Sequence, residues 1–322
     1  MHNKHATIDI VLATYNGGIY IEEQLNSIIN MVGFNDLVKN VIVCDDSSTD
    51  GTLQIVKKII PKNKLIILEN TQRKPFGPAK NFERGINHTT ANYVMLSDQD
   101  DFWEKDKLLA YYEEAQKLND QKPFIIFSDL EVVDSDLNTI DPSFLHFQSI
   151  DNKWYEKINN LLIQNMAPGC TMMFNKELIK ASMPFPRDCL MHDWWLMLVC
   201  NLYGQIKFIQ DKTFIKYRQH SSNQVGAKKN SIVNNILNLS KSINTSSVNL
   251  HKTIKQMMDF KERYHNDIPS ETKSYIEALN LFLDAKSSPI QRVIEAKKVK
   301  MQKSSFIKTV GTYLIIFKGL NK

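Results

Sequence analysis

The sequence predicts an α/β fold, a mainly parallel sheet flanked by helices, followed by a helical C-terminal region. Three observations predict it. Short apolar runs alternate with helical-period segments four times within about the first hundred residues. Three of those runs end in polar clusters: Thr14-Tyr15-Asn16, Asp45-Asp46-Ser47 and Ser97-Asp98-Gln99-Asp100. After Gly226 the chain becomes rich in Asn, Ser and Lys, with apolar residues at helical spacing.

In order, IDIVLA (8–13) reads as a short buried strand, YNGG as a turn and IYIEEQLNSIINM as an amphipathic helix. VKNVIVCDD is a second strand ending in two acids. SSTDGTLQIVKKII is a helix whose first amides Ser47, Ser48, Thr49 or Asp50 can cap. KLIILEN, GPAKNFERGINHT and ANYVMLS supply a third strand, a helix and a fourth strand that reaches Asp98. Strand–helix–strand units of this kind make parallel sheets, and parallel sheets collect ligands at their carboxyl ends, so the three clusters should converge on one rim. Farther on, PFIIFSDLEVVD reads as a strand and PGCTMMFNKEL as a strand running into a helix. HDWWLMLVCNLYG is an apolar helix, and IKFIQDKTFIKYRQH a pair of strands turning at Gln210-Asp211. The expected division is a catalytic domain over 1–226 and a helical region with a basic tail over 227–322.

With 322 residues, 43% of them hydrophobic, the chain can bury a sizeable core. Its formal charge of +5 is unevenly spread. From Lys286 to Lys322 eight Lys and one Arg face a single acid, Glu295, a net of +8 that leaves −3 for the rest. An anionic partner is therefore expected for the tail alone. No nucleic-acid partner is expected, because the basic charge is confined there and no reading helix stands out. The segment RVIEAKKVKMQKSSFIKTVGTYLIIFKGL suits a helix lying on an anionic membrane surface, or equally a helix packed on the body with its lysines outward. Four scattered cysteines form no C-x-x-C pair, so neither a zinc site nor a disulfide framework is indicated, and Cys44 reads as a small hydrophobe. Without a signal-peptide core or an apolar run of about 18 residues, a cytoplasmic location is expected.

The chemistry gathers in four places. Asp98, Asp100 and Asp101 follow an apolar strand directly, and acids so close repel one another unless something positive stands among them. Mg²⁺ or Mn²⁺, held by one or two carboxylates and by a substrate's phosphates, answers that need. The alternative is an acidic turn with Asp101 capping a helix that starts near Trp103. Asp45 and Asp46, on the same rim, can accept from a base N–H or from ribose hydroxyls. No G-x-G-x-x-G or G-x-x-x-x-G-K-[ST] is present, so a nucleotide here needs the metal to neutralise its phosphates. In MHDWWL, Asp193 opens an apolar helix; it is either a general base whose pKa rises with partial desolvation or an acid complementing the helix dipole. Trp194 and Trp195 either wall a sugar ring or fill the core; Trp103 and Gly169 are counted with them on the acceptor side. In YRQHSSNQVG, Arg218 can hold a diphosphate or form an ordinary ion pair, and His220 can be a further metal ligand or a structural residue.

Taken together, ATYNGGIYIEEQLNSI, VIVCDDSSTDGT, LSDQDDFWEKDKL, HDWW and YRQHSSNQVG resemble the inverting glycosyltransferases of family 2, which have the GT-A fold. The match spans residues 8–226, and the S-D-Q-D-D-x-W form is similar to bacterial rhamnosyltransferases of cell-surface polysaccharide assembly. The resemblance implies Thr14, Tyr15 and Asn16 near the nucleotide, Asp46 and Asp45 at its base or ribose, and Asp98 at the ribose and donor sugar. It implies Asp100 as the main metal carboxylate, His220 as a metal or diphosphate contact, and Asp193 as catalytic base. His192-Asp193 stands where the family often has E-D, and the Q-x-x-R-W block of processive synthases is absent, which favours transfer of one sugar. The implied partners are a nucleotide-diphosphate sugar and a glycan, often lipid-linked. A nucleotidyltransferase, or a binding protein that keeps the fold without turnover, are the competing readings; the first would more often carry a basic Gly-rich loop after the first strand, and intact Asp100 and Asp193 oppose the second.

Overall fold

The computed structural model describes residues 6–72, 74–187, 189–220, 239–284 and 286–319. Two compact units emerge. The first comprises residues 1–144, 167–185 and 191–227, and the second residues 145–166, 186–190 and 228–322. Two internal segments thus cluster with the C-terminal helices rather than with the N-terminal body; the expected boundary at 226 itself lies outside the described residues.

In the first unit β1 (Ile8–Thr14), α1 (Ile21–Ile29), α2 (Phe34–Leu37), β2 (Val38–Asp45), α3 (Thr52–Ile59), β3 (Leu65–Glu69), α4 (Pro78–Asn87) and β4 (Tyr93–Ser97) follow one another. Next come β5 (Phe102–Trp103), α5 (Lys107–Ala115), β6 (Phe124–Ser128), β7 (Glu131–Val133) and β8 (Thr139–Asp141). Past α6 (Phe144–Gln148) and α7 (Ile158–Ile163) lie β9 (Met172–Asn175), α8 (Lys176–Ser182), α9 (His192–Tyr203), β10 (Gln205–Ile209) and β11 (Ile215–Arg218). A seven-stranded sheet runs β10-β6-β9-β4-β1-β2-β3, and a four-stranded sheet runs β5-β11-β7-β8. The large sheet is parallel except for β9, which is antiparallel to both β4 and β6.

This order explains why the polar clusters share one rim. The chain steps from β1 outward to β2 and β3, then crosses back to lay β4 on the other side of β1. The reversal opens a crevice between the carboxyl ends of β1 and β4, the place where open α/β sheets bind ligands. Register keeps the ends level: Thr14 pairs with Asp45, and Leu12 with Ser97.

Two sequence expectations change. PFIIFSDLEVVD divides between the two sheets at Asp129-Leu130, and IKFIQDKTFIKYRQH is not a strand pair, because β10 joins β6 while β11 joins β5 and β7. At the start of helix α3 the left-handed Gly51 (φ 89°) offers no side chain, and Asp50, one of the expected capping residues, accepts from Thr52 N (3.2 Å) and Oγ1.

The core lies where β1, β2 and β4 are covered on both faces, so Ile10, Val11, Leu12, Val41, Ile42, Val43 and Cys44 are fully buried. Asp9, also fully buried, accepts from the amides of Thr90 (2.6 Å) and Ala91 (2.9 Å) and from Asn40 Nδ2 (2.8 Å), which ties the entry of β4 to β1. Cys44, Cys170 and Cys200 are buried thiols. Helix α4 approaches the sheet through Gly85, where a Cβ would stand 2.3 Å from Val11 Cγ1 and 2.6 Å from Cys44 Sγ.

The second unit is helical, with helices at Leu239–Arg263, Ser270–Asn280, Pro289–Lys298 and Phe306–Lys318 besides α7. Its internal segment 163–164 is bound to the tail: Gln164 Nε2 donates to Ser304 Oγ (3.0 Å), Ser304 N donates back to Gln164 Oε1 (3.1 Å), and Lys303 Nζ donates to Ile163 O. Gly85→Ala should destabilise the protein by about 1–3 kcal/mol through overpacking, read as a thermal midpoint several degrees lower; an unchanged midpoint would show that α4 does not seat through this glycine.

Candidate active site

The loops after β1 and β2 build the rim from hydrogen bonds to each other. Thr14 Oγ1 donates to Asp45 Oδ1 (2.8 Å), and Ser48 N donates to Asp45 Oδ2 (2.8 Å). Asp46 accepts from Asn70 Nδ2 (2.8 Å), Phe76 N (2.9 Å) and Gly77 N (2.9 Å). Asn16, with φ 48°, receives Thr49 N on its Oδ1 (2.9 Å) while its own amide donates to Ser48 Oγ (2.9 Å). A carboxylate offers about four lone-pair positions, and Asp45 and Asp46, 2% and 3% exposed, direct theirs into the chain. Their observed work is to brace the rim. Tyr15 is different: 41% exposed, it is held by its backbone, with Tyr15 N donating to Gln99 Oε1 (2.8 Å) and Gln99 Nε2 donating to Tyr15 O (3.1 Å). That reciprocal amide pair spans the crevice between β1 and β4. Gly17 is required beneath it, since a Cβ there would stand 2.3 Å from Gln99 Oε1.

The acids after β4 have separate surroundings. Asp98 and Asp100 are half-buried, and Asp101 is fully buried. Asp101 does not cap a helix, contrary to the sequence reading: the chain continues as β5, and α5 begins only at Lys107. Instead Lys107 is fully buried, 3.1 Å above the centre of the Trp103 ring, with Nζ donating to Cys170 O (2.7 Å). It faces Asp98 and Asp101 electrostatically. Burial pushes the Asp98 carboxyl up to about 7, with repulsion from Asp100 and Asp193 adding to it and Lys107 opposing it. Burial raises Asp101 strongly too, and depresses Lys107 well below the usual ammonium range. Asp98, Asp101 and Cys170 bring their ligand atoms within 4.8 Å of one another, the geometry of a metal site. Among the described residues no ion pair joins Lys107 to either acid: its Nζ goes to Cys170 O, and Asp101 Oδ2 is buried without a hydrogen-bond partner, while burial and Asp101 raise the Cys170 thiol.

Arg218 corrects a second expectation. Its side chain is 2% exposed and not turned to a diphosphate. It donates through Nε to Asp100 O (2.9 Å), pairs with Glu23 and Ser135 O, and lies over the Tyr20 ring at 4.7 Å. It holds the backbone of the acidic loop, and β11 puts it there by pairing with β5, Ile215 opposite Trp103. Two residues on, His220 Nε2 stands 2.9 Å from Asp100 Oδ2, its ring against Tyr20 at 4.7 Å. Neighbouring ligands on an octahedral ion with bonds of about 2.1 Å are separated by about 3 Å. In this structure the Asp100–His220 contact is a hydrogen bond, at that same separation, and both groups keep some exposure, 15% and 12%.

Asp193 lies in the first turn of α9, 7% exposed. Oδ2 accepts from Gly169 N (3.1 Å) and Oδ1 from Trp194 N (2.6 Å). Burial lifts its pKa to about 6, against the lowering effect of those amides. Gly169–Thr171 is a short 3₁₀ turn, so Gly169 holds Asp193 while its neighbour Cys170 meets Lys107 and Asp98. One turn thus links the base candidate to the acidic loop.

The aromatic acceptor wall is not formed as expected. Trp103 and Trp195 are fully buried, and Trp195 Nε1 donates to Ser182 O (3.0 Å); Trp194 is 8% exposed. These rings are core, Trp103 on β5 and Trp194 and Trp195 on α9. Gly169 serves Asp193 through its amide, and the nearby His192 ring, where a Gly169 Cβ would meet Nε2 at 2.5 Å, excludes any larger residue. Sequence reasoning missed Lys107, Gln99, Cys170 and Tyr217, whose phenol faces Asp101, Asp98 and Asp100. Lys107 left a signal: it shares a helical stripe with Tyr111 and Ala115, where a lysine is out of place unless paired. Lys107→Met should lower stability at neutral pH, because the ammonium's field favours the ionised Asp98 and Asp101 carboxylates. With folded-state pKa values above the unfolded ones, those acids take up protons as pH falls, so the loss in urea unfolding should shrink from pH 8 toward pH 5; a pH-independent or absent loss would refute this coupling.

Comparisons with known proteins bear on the family and the fold. Residues 9–181 match the model of Glycosyl transferase family 2. A dTDP-rhamnosyl transferase of Shigella flexneri is 30% identical over 227 residues, covering 67% of this chain and 74% of that enzyme. An abequosyltransferase of Salmonella typhimurium is 29% identical over 48% of this chain and 45% of its own length. Among solved structures, S. aureus TarS (residues 1–349, in complex with UDP-GlcNAc) superposes with a TM-score of 0.58 at 18% identity, covering 91% of this chain and 80% of that one. A mannosyltransferase of Pyrobaculum calidifontis, in complex with GDP-Man and Mn²⁺, gives 0.54 at 17% identity, covering 98% and 87%. These structures share the GT-A-type α/β architecture, and with the sequence match they establish that the chain belongs to glycosyl transferase family 2 and is a glycosyltransferase.

Proposed function

We propose that this glycosyltransferase inverts the anomeric centre, depends on a divalent metal, and moves one sugar from a nucleotide-diphosphate donor to a bacterial surface glycan carried on a lipid. What supports the reading best is one linkage: the Gly169-Cys170 turn couples Asp193 to Asp98, at the end of the strand whose next carboxylate, Asp100, meets His220. In this reading Tyr15, exposed on the rim braced by Thr14, Asn16, Asp45 and Asp46, meets the nucleotide, and Asp98 accepts from ribose or donor-sugar hydroxyls. Asp100 and His220 hold the metal. When bound, the ion offsets the charge that develops on the departing diphosphate. Asp193 takes the proton from the acceptor hydroxyl as that oxygen attacks the anomeric carbon from the opposite face. Its two backbone donors fix the carboxylate's orientation, and burial brings its basicity toward neutral pH. The donor is dTDP-rhamnose or a UDP-hexose, in keeping with the dTDP-rhamnosyl transferase of Shigella among the relatives. The imidazole of His220 favours Mn²⁺ over Mg²⁺, which prefers oxygen ligands alone.

Asp193→Asn should lower transfer about a hundred- to ten-thousand-fold while donor binding persists; undiminished turnover would remove Asp193 from the chemistry. Because the base works only when ionised, the wild-type rate should fall about tenfold per unit below pH 6, where Asp193 protonates, and level off above it. A rate flat from pH 7 to pH 4.5 would contradict the assignment. EDTA should abolish transfer, with Mn²⁺ restoring it, and Asp100→Ala should lose donor binding and metal response together. His220→Ala should narrow the preference for Mn²⁺ over Mg²⁺. Transfer indifferent to EDTA would end the metal proposal. A panel of nucleotide sugars, screened for metal-dependent hydrolysis and thermal stabilisation, identifies the donor.

A further inference from the structure

The helix Phe306–Lys318 is turned inside out relative to an ordinary surface helix. Six of its positions are exposed, and five are large and apolar: Phe306 (83%), Ile307 (62%), Val310 (41%), Leu314 (61%) and Phe317 (54%). At 3.6 residues per turn these five fall within an arc of about 100°. The opposite side, with Thr312, Ile315 and Ile316, is buried. The preceding helix, Pro289–Lys298, packs against it and adds Ile290 (67%) and Ile294 (46%). Large apolar side chains do not gather outward on a soluble surface without a partner.

The surroundings of the face indicate which partner. Residues 286–322 carry a net charge of +8. Lys303 and Lys308 turn inward, Lys303 to Ile163 O and Lys308 to Gln148 O (2.6 Å). Lys286, Lys297, Lys298, Lys300 and Lys318 remain exposed, with Lys297 on the same side of its helix as Ile290 and Ile294. A second copy would set +8 against +8. An anionic bilayer supplies both missing halves, acyl chain for the apolar arc and phosphate for the lysines. Spanning is ruled out for this element: its 13 residues reach about 20 Å, and no described helix is long and apolar enough to cross a membrane.

We propose that the exposed face of Phe306–Lys318, with Ile290 and Ile294, inserts into the headgroup region of an anionic lipid bilayer while the neighbouring lysines bind its phosphates. The proposal does not depend on the transfer chemistry, since it concerns the helical unit alone. The full-length protein should float with vesicles of phosphatidylcholine mixed with phosphatidylglycerol and stay behind with phosphatidylcholine alone. Phe306→Ser combined with Leu314→Ser and Phe317→Ser should abolish flotation without lowering the thermal midpoint, because exposed side chains hold nothing together. Lys297→Glu combined with Lys298→Glu and Lys300→Glu should weaken binding by at least about fivefold per lysine, and high salt should do the same to wild type. Wild-type protein that does not float, or variants that float equally, would overturn the proposal. So would a concentration-dependent doubling of mass that the serine variant abolishes, which would assign the face to a second copy. Metal-dependent hydrolysis of a nucleotide sugar without vesicles reads the transferase proposal separately.

Discussion

Burial of ionisable groups behind the strand ends is the constraint on which the site depends. Parallel strands bring their carboxyl ends to one edge, and this chain places Asp98, Asp100 and Asp101 within four residues there. Unbalanced, they would repel one another in a low dielectric. Lys107, buried against Trp103, acts on two of them through its field, and Arg218 grips the loop backbone from the small sheet. Asp100 is thereby left to face His220. The depressed ammonium and raised carboxyl pKa values record the electrostatic cost of holding these groups out of water.

The same logic assigns work to residues that resemble ligands. Asp45 and Asp46 look available in sequence but spend much of their capacity inside the chain, Asp45 on Thr14 and Ser48, Asp46 on Asn70 and two backbone amides. They keep the loops after β1 and β2 in a fixed shape. In the proposed function, that fixed shape is what would let Tyr15 and Asp98 meet a donor without further ordering. Asp193 is prepared similarly: Gly169 and Trp194 amides fix its orientation, while burial raises its basicity. Two opposed effects, amide donation and desolvation, leave a carboxylate suited to accept a proton near neutral pH.

Strand and helix identity were legible because periodicity and burial coincide. The first four strands and the helices between them follow the apolar runs closely, since a strand covered on both faces must be apolar throughout. The small sheet was not legible. β5 has two residues and β7 three, too short for a period, and β11 finds its partners across more than eighty residues of sequence. The tryptophans were misread for a related reason. HDWW carries no sign of which ring faces outward, and only packing around α9 shows Trp195 donating to Ser182 O from within the core.

By itself the sequence determined the α/β class, the shared rim, the family, and the acids that stand on that rim, because local pattern and short motifs fix what each strand end carries. Tertiary structure decided the division of labour. It buried Lys107 against Trp103, turned Arg218 inward, gave Asp101 to the core and paired Asp100 with His220. It also turned the apolar arc of the last helix outward, where the sequence alone allowed either face. Those outcomes are set by distances between residues far apart in the chain, and burial, the quantity that fixes the strength of a charge, exists only once the chain has folded.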